Sequence, residues 1–145
     1  MKSLLYLTFI GLLSMYSVSM LGQGQSGTEE PPYYIKSIFF GGGSYYIDEQ
    51  QVKELQEFLD QFDPIEEYEI FIQSHTDNIG SVEYNSWLSN RRGEMTKFHI
   101  VDHGIPQELL TNEDFGEYAP DFDNQTWKGR QANRRVDVII RRIVL

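Results

Sequence analysis

Between Tyr34 and Val144 the hydrophobic pattern alternates between stretches of β-like and helical periodicity. This alternation constrains the fold more than any other feature of the chain, because each period dictates a different backbone. Tyr34 to Phe40 (YIKSIFF) is β-branched and aromatic and stops at Gly41-Gly42-Gly43, which predicts a strand. Val52, Leu55, Leu59 and Phe62 recur at helical spacing, so Asp48 to Phe62 predicts an amphipathic helix. Asp48 is its N-cap, with Gln51 as the return half of a capping box, and the helix stops before Pro64. Tyr68 to Ser74 predicts a second strand, and His75 to Gly80 a loop. Ser81 to about Val101 predicts a longer helix with Tyr84, Leu88, Met95 and Phe98 on one stripe, stopped by Gly104. A polar stretch punctuated by Gly116, Pro120 and Gly129 follows, with a short strand expected around Phe115 to Tyr118. Val136 to Val144 is the last strand. The order is strand, helix, strand, helix, long loop, strand. It implies an α+β fold: a βαβαββ-like mixed sheet of three to four strands with two main helices packed on one face.

The first thirty residues read differently. Lys2 is followed by no charged residue until Glu29, and Leu4 to Leu13 is densely apolar. A positive start, an apolar stretch and then small residues make residues 1–22 a signal peptide. Residues 23–32 are then a flexible leader and residues 33–145 one domain. An uncleaved anchor is the competing reading, since the uncharged span could cross a bilayer. The whole chain has 145 residues, 12 Lys+Arg against 22 Asp+Glu, a formal charge of -10 and no cysteine. A nucleic-acid binder needs surplus cations to neutralise phosphates, so that class is excluded. The missing thiols remove disulfides, thiolate metal sites, cysteine nucleophiles and the lipid-bearing cysteine of a lipoprotein, so membrane association is expected only indirectly.

Two patches carry more functional side chains than a scaffold needs. One is His75-Thr76-Asp77-Asn78-x-Gly80 with Asn85, Leu88-Ser89 and Arg91-Arg92; the other is Asn133-Arg134-Arg135-Val136. Asp77 falls between a strand and a helix, where backbone N–H groups point outward and ligands meet sheet proteins of this kind. Arg92 lies about three turns into the helix and faces the same place only if the loop packs back over it.

The series Ser74-His75-Thr76-Asp77-x-x-Gly80, Tyr84-Asn85-x-x-Leu88-Ser89-x-x-Arg92, Gly104-Ile105, Gly116-Glu117-x-x-Pro120, Asn124-x-Thr126 and Gly129-Arg130-x-x-Asn133-Arg134-Arg135-Val136 resembles the OmpA-like peptidoglycan-binding domain. Phe40-x-x-Gly43-Ser44-x-x-Ile47 resembles that family's entry into its first helix. The likeness covers essentially all of Tyr34 to Ile140. It implies non-covalent binding of peptidoglycan through the diaminopimelate of the stem peptide, anchoring or scaffolding at the wall, and a place in the periplasm or cell envelope, with outer-membrane association and an envelope protein partner as further expectations. Asp77 matches the position that meets the ligand ammonium and Arg92 the position that meets its carboxylate. Thr76, Asn85 and Arg135 match positions near the pocket. Loss of Asp77 or Arg92 is expected to cripple binding without unfolding the domain. Two departures stand out: Gly41 where many members have Asp, and Gly93 where alanine is favoured.

The resemblance implies no cofactor, no metal and no enzymatic activity. His99 and His103 sit four apart but lack a third ligand, and read as favourable charges at a helix C-terminus. Asp121, Asp123 and Asn124 lack the glycine and terminal glutamate of a calcium loop. A cell-wall hydrolase using Asp77 with Glu83 or Asp114 is the weakest alternative, and an interaction module that has lost wall binding, given Gly41, the stronger one. At least one of Arg134 and Arg135 is expected to brace the long loop through Glu117 or Asp114.

Overall fold

The computed structural model describes residues 32–144, so the expected signal peptide and nearly all of the leader lie outside the described residues. The chain forms β1 (Tyr33–Phe39), α1 (Glu49–Leu59), β2 (Tyr68–His75), α2 (Val82–Asp102), β3 (Leu110–Gly116), α3 (Trp127–Asn133) and β4 (Arg135–Arg142). The four strands make one mixed sheet in the order β1-β4-β2-β3; β4 is antiparallel to both neighbours and β2 runs parallel to β3. The α+β class and the mixed sheet agree with the sequence reading. Two parts of the sequence reading are corrected. The third strand starts at Leu110 rather than Phe115, and the expected long loop contains α3.

The period-two pattern decides which face of the sheet is covered. Ile38, Ile70, Ile72, Val136, Val138 and Ile140 are fully buried on one face, together with Leu55 and Leu59 of α1 and Ile100 of α2. The other face mixes Ile35, Phe39, Phe71 and Ile139 with paired polar groups. Arg135 donates to Asp137 (2.8 Å), Ser37 donates to Asp137 (2.5 Å), and the Arg141 guanidinium lies 5.1 Å from the Phe71 ring centre.

Helix α1 begins as expected, with Asp48 accepting from the Gln51 N–H at 3.0 Å. The expected capping box does not close on the backbone, however. Gln51 instead turns to the free edge of β1, accepting from the Phe39 N–H (2.8 Å) and donating to the Phe39 carbonyl (3.0 Å). An unpaired strand edge offers both groups, and one amide satisfies them together.

Helix α2 departs from the expected stripe. Of Tyr84, Leu88, Met95 and Phe98 only Leu88 is buried, while Tyr84 and Phe98 are exposed. The inward face is Asn85, Leu88, Ser89, Arg92, Gly93, Thr96 and Ile100. These polar groups are tolerated because they are paired. Ser89 donates to the Ser74 carbonyl (2.9 Å) and accepts from the Gly116 N–H (3.2 Å), tying α2 to β2 and β3. Gly93 has a steric reason: a Cβ there would stand 2.6 Å from Ser74 Oγ. Gly93→Ala is therefore expected to destabilise the domain by about 1–2 kcal/mol. In a Ser74→Ala background the same change should be neutral or stabilising by up to about 1 kcal/mol, the ordinary helical preference for alanine. Urea unfolding of the four variants checks this coupling.

Short-range hydrogen bonds fix α3. Thr126 caps it by accepting from the Gly129 N–H at 2.9 Å. Asn133, fully buried, donates to the Phe122 carbonyl (2.8 Å) and Asn124 Oδ1 (2.9 Å) and accepts from the Phe122 N–H (3.1 Å). Gly129 lets the loop close, since a Cβ there would lie 2.0 Å from the Asp123 carbonyl oxygen.

Candidate functional site

The C-terminal ends of β1 and β2 and the N-terminal end of β4 meet at one edge of the sheet, because Phe39 pairs with Arg135 and Ser74 with Val136. The chain segments leaving these ends enclose a cavity of about 390 Å³. Its walls come from Gly42 and Gly43 after β1, from Asp77, Ile79 and Gly80 after β2, from Tyr84, Leu88 and Arg92 of α2, and from Arg130 and Arg134 at α3. Gly43 and Gly80 adopt φ of 68° and 121°, which non-glycine residues rarely take.

Asp77 is held at both oxygens. Oδ1 accepts from the Ile79 N–H (3.1 Å), closing an Asx turn, and Oδ2 accepts from Arg134 Nη1 (2.9 Å). Both side chains of this pair are mostly shielded. Each carboxylate oxygen still has a lone pair for an incoming cation.

Arg92 is completely buried at the cavity floor. Its guanidinium donates to three carbonyls: Nε to Ser44 (2.9 Å), Nη1 to His75 (3.0 Å) and Nη2 to Gly41 (3.1 Å). The Phe40 ring centre lies 4.9 Å away. Burial pushes its pKa down to about 10, Asp77 opposing that shift and Arg134 adding to it; the group remains charged at neutral pH. Among the described residues no carboxylate pairs with it. Three of its five N–H groups are committed, and its charge is not matched by a paired carboxylate. The Gly41 position matters here: a Cβ would meet only Ser44 Cβ, at 3.8 Å, so crowding at the Cβ does not impose glycine at this position.

Thr76 and Asn85 lie behind the cavity wall rather than in it. Asn85 donates to the Asp77 carbonyl (3.3 Å) and to Glu117 (2.5 Å), bracing the loop against the end of β3. Thr76 Oγ1 and Asn85 Oδ1 are buried without a partner. Arg135 is elsewhere: its guanidinium pairs with Asp137 and Asp121 on the face of the sheet opposite Val136 and is absent from the cavity wall. It braces the long loop, as expected of one arginine, but through Asp121. Glu117 instead reaches Asn85, and Asp114 accepts from the Gly116 N–H. Arg134 and Arg130 are the cavity residues that sequence reasoning missed. Strand alternation carried the signal for Arg134: with Val136 on the helix-covered face, Arg135 must point the other way.

The His75 ring stacks on Phe115 (5.2 Å, 10°) and its Nδ1 is buried without a partner. Burial first, and Arg135 second, push its pKa below the ordinary 6.5, against the opposing fields of Asp137 and Asp121. The folded state thus prefers the neutral ring, and the unfolded state binds the extra proton. Stability from this group is complete above pH 6.5 and declines as pH falls below it, by at most about 1.4 kcal/mol per pH unit. Urea midpoints between pH 5 and 7.5 should show that slope in the wild type and a flatter profile in His75→Phe.

A four-stranded mixed sheet with an acid and a set of guanidinium groups gathered in one cavity at its strand ends is the arrangement that comparison with known proteins can place. The family model described as "OmpA family" matches residues 39–134, and the chain belongs to that family. It is 38% identical over 89 residues to outer membrane porin F of Pseudomonas fluorescens, covering 61% of this chain and 26% of that protein. It is 31% identical over 122 residues to outer membrane protein A of Bordetella avium, covering 80% of this chain and 63% of that protein. The chain therefore spans under two thirds of the length of either relative. The crystal structure of the peptidoglycan-associated lipoprotein from Burkholderia pseudomallei superposes with a TM-score of 0.68 at 25% identity, over 72% of this chain and 89% of that one.

Proposed function

We propose that this domain binds peptidoglycan non-covalently, through the diaminopimelate of the stem peptide, and so anchors or scaffolds at the cell wall within the envelope. The observation that carries the reading is the joint presence of Asp77 and Arg92 in one cavity of small-ligand size. The side-chain centre of diaminopimelate offers an ammonium and a carboxylate on one carbon. The ammonium meets the free lone pairs of Asp77, and the carboxylate meets the unpaired charge of Arg92, both by charge-assisted hydrogen bonds. Arg134 holds the Asp77 carboxylate in place for this contact, and Thr76 and Asn85 support the loop from behind. Because Arg92 has no exposed area, direct contact with the ligand carboxylate requires a rearrangement of the cavity lining. The peptidoglycan-associated name of the Burkholderia relative agrees with this reading.

Sedimentation with purified sacculi tests it. The protein should pellet with sacculi, free meso-diaminopimelate should release it, and Nα-acetyl-lysinamide, which offers a side-chain ammonium with no carboxylate beside it, should not. Protein that stays in the supernatant would identify an interaction module instead, and soluble muropeptides released during incubation would identify a hydrolase.

A further inference from the structure

The cavity wall carries one carboxylate, Asp77, and three guanidinium groups, Arg92, Arg130 and Arg134. Asp77 is paired with Arg134. Arg92 is held by carbonyls alone. Half-buried Arg130 donates from Nη1 to the Asn124 carbonyl (2.8 Å) and forms no ion pair among the described residues. The cavity is thus formally two charges positive within a chain of net charge -10. The surplus is local and is not a general property of the surface. A zwitterionic group with one ammonium and one carboxylate would leave all of that surplus in place, in a partly shielded site where unmatched charge is unfavourable.

We propose that the cavity takes a ligand end bearing two carboxylates for its one ammonium, with Arg130 meeting the second carboxylate. The proposal rests on the diaminopimelate reading and narrows it. A stem peptide that ends at diaminopimelate has this composition, since its main-chain carboxylate is then free beside the side-chain ammonium and carboxylate. A stem that continues past diaminopimelate has an amide at that place. Such ends arise where a carboxypeptidase has removed the following residue, so a hydrolytic step of that class would generate the preferred site. Arg130 is a specificity-determining residue in this scheme, whereas Asp77 and Arg92 hold the zwitterionic centre common to both forms.

The test compares two synthetic tripeptides, L-Ala-D-isoglutamyl-meso-diaminopimelate with its terminal main-chain carboxylate free or converted to the carboxamide. Calorimetric titration of the wild type should show the free acid binding about 10-fold more tightly, the effect of one charge-assisted hydrogen bond. In Arg130→Gln the two ligands should bind equally, at the weaker affinity, while Arg130→Lys should keep part of the preference. The ratio of the two affinities within one variant does not depend on how much of that variant is folded, so loss of the Asn124 contact does not mimic the result. Equal binding of both tripeptides by the wild type, or an unchanged preference in Arg130→Gln, would overturn the role of Arg130 and leave the diaminopimelate reading standing. Failure of the wild type to bind either tripeptide would overturn both.

Discussion

Arg92→Ala is expected to lower the stability of the domain by on the order of 4 kcal/mol, a fall in Tm of about 15–20 °C. The sequence alone suggested a binding residue that could be removed without unfolding, and the structure corrects that. The guanidinium ties α2 to the 41–44 segment and to the end of β2 through the carbonyls of Gly41, Ser44 and His75. Alanine would leave those acceptors facing a void, each unmet carbonyl costing about 1–3 kcal/mol where water cannot reach it. It would also remove the cation from the face of Phe40. Arg92→Lys should recover only part of the loss, because one ammonium cannot reach three divergent carbonyls in a plane. Urea unfolding measures both variants. A loss below about 1 kcal/mol for Arg92→Ala would show that the guanidinium is peripheral to the fold. Arg92 is consequently a poor residue with which to test binding, since its removal weakens the site and the scaffold together.

Asp77→Asn should reduce the affinity for diaminopimelate-containing ligands by about 10- to 150-fold, the value of one hydrogen bond to a charged group. Asparagine keeps Oδ1 for the Ile79 N–H, so the Asx turn persists, while its amide nitrogen replaces the oxygen that accepted from Arg134 and that contact is lost. What is lost is the negative charge that meets an ammonium. Asp77→Ala removes the Asx turn as well and leaves the Ile79 N–H without its acceptor, and should cost about 1–3 kcal/mol of stability in addition. The two variants therefore separate binding from folding. Similar affinity in wild type and Asp77→Asn would place the ligand elsewhere.

How much of this was legible in the sequence depended on how local the determining interactions were. Three of the four strands and the starts of both main helices could be read because periodicity and caps act within a few residues; Asp48 caps α1 as its sequence position implies, and Ser81 caps α2 in the same way. The inward face of α2 could not, since Ser89 and Arg92 are buried by pairing with the backbone of β2 and the 41–44 segment, which no periodicity of apolar residues reveals. Helix α3 is polar, and its only local sign was Thr126 with Gly129 three residues on. The Asp77–Arg134 pair spans 57 residues; only the alternation around Val136 pointed to Arg134 over Arg135. The residues for the site were visible as types and spacings, whereas their allotment to cavity, wall or opposite face required the register of β4.

The most direct measurement is a backbone amide NMR titration with meso-diaminopimelate. The account predicts concentration-dependent shifts concentrated in Gly41–Gly43, Asp77–Gly80 and the α2 segment around Tyr84 and Arg92, with the same titration leaving Asp77→Asn unchanged. Shifts clustered away from these segments, or none at millimolar ligand, would contradict it.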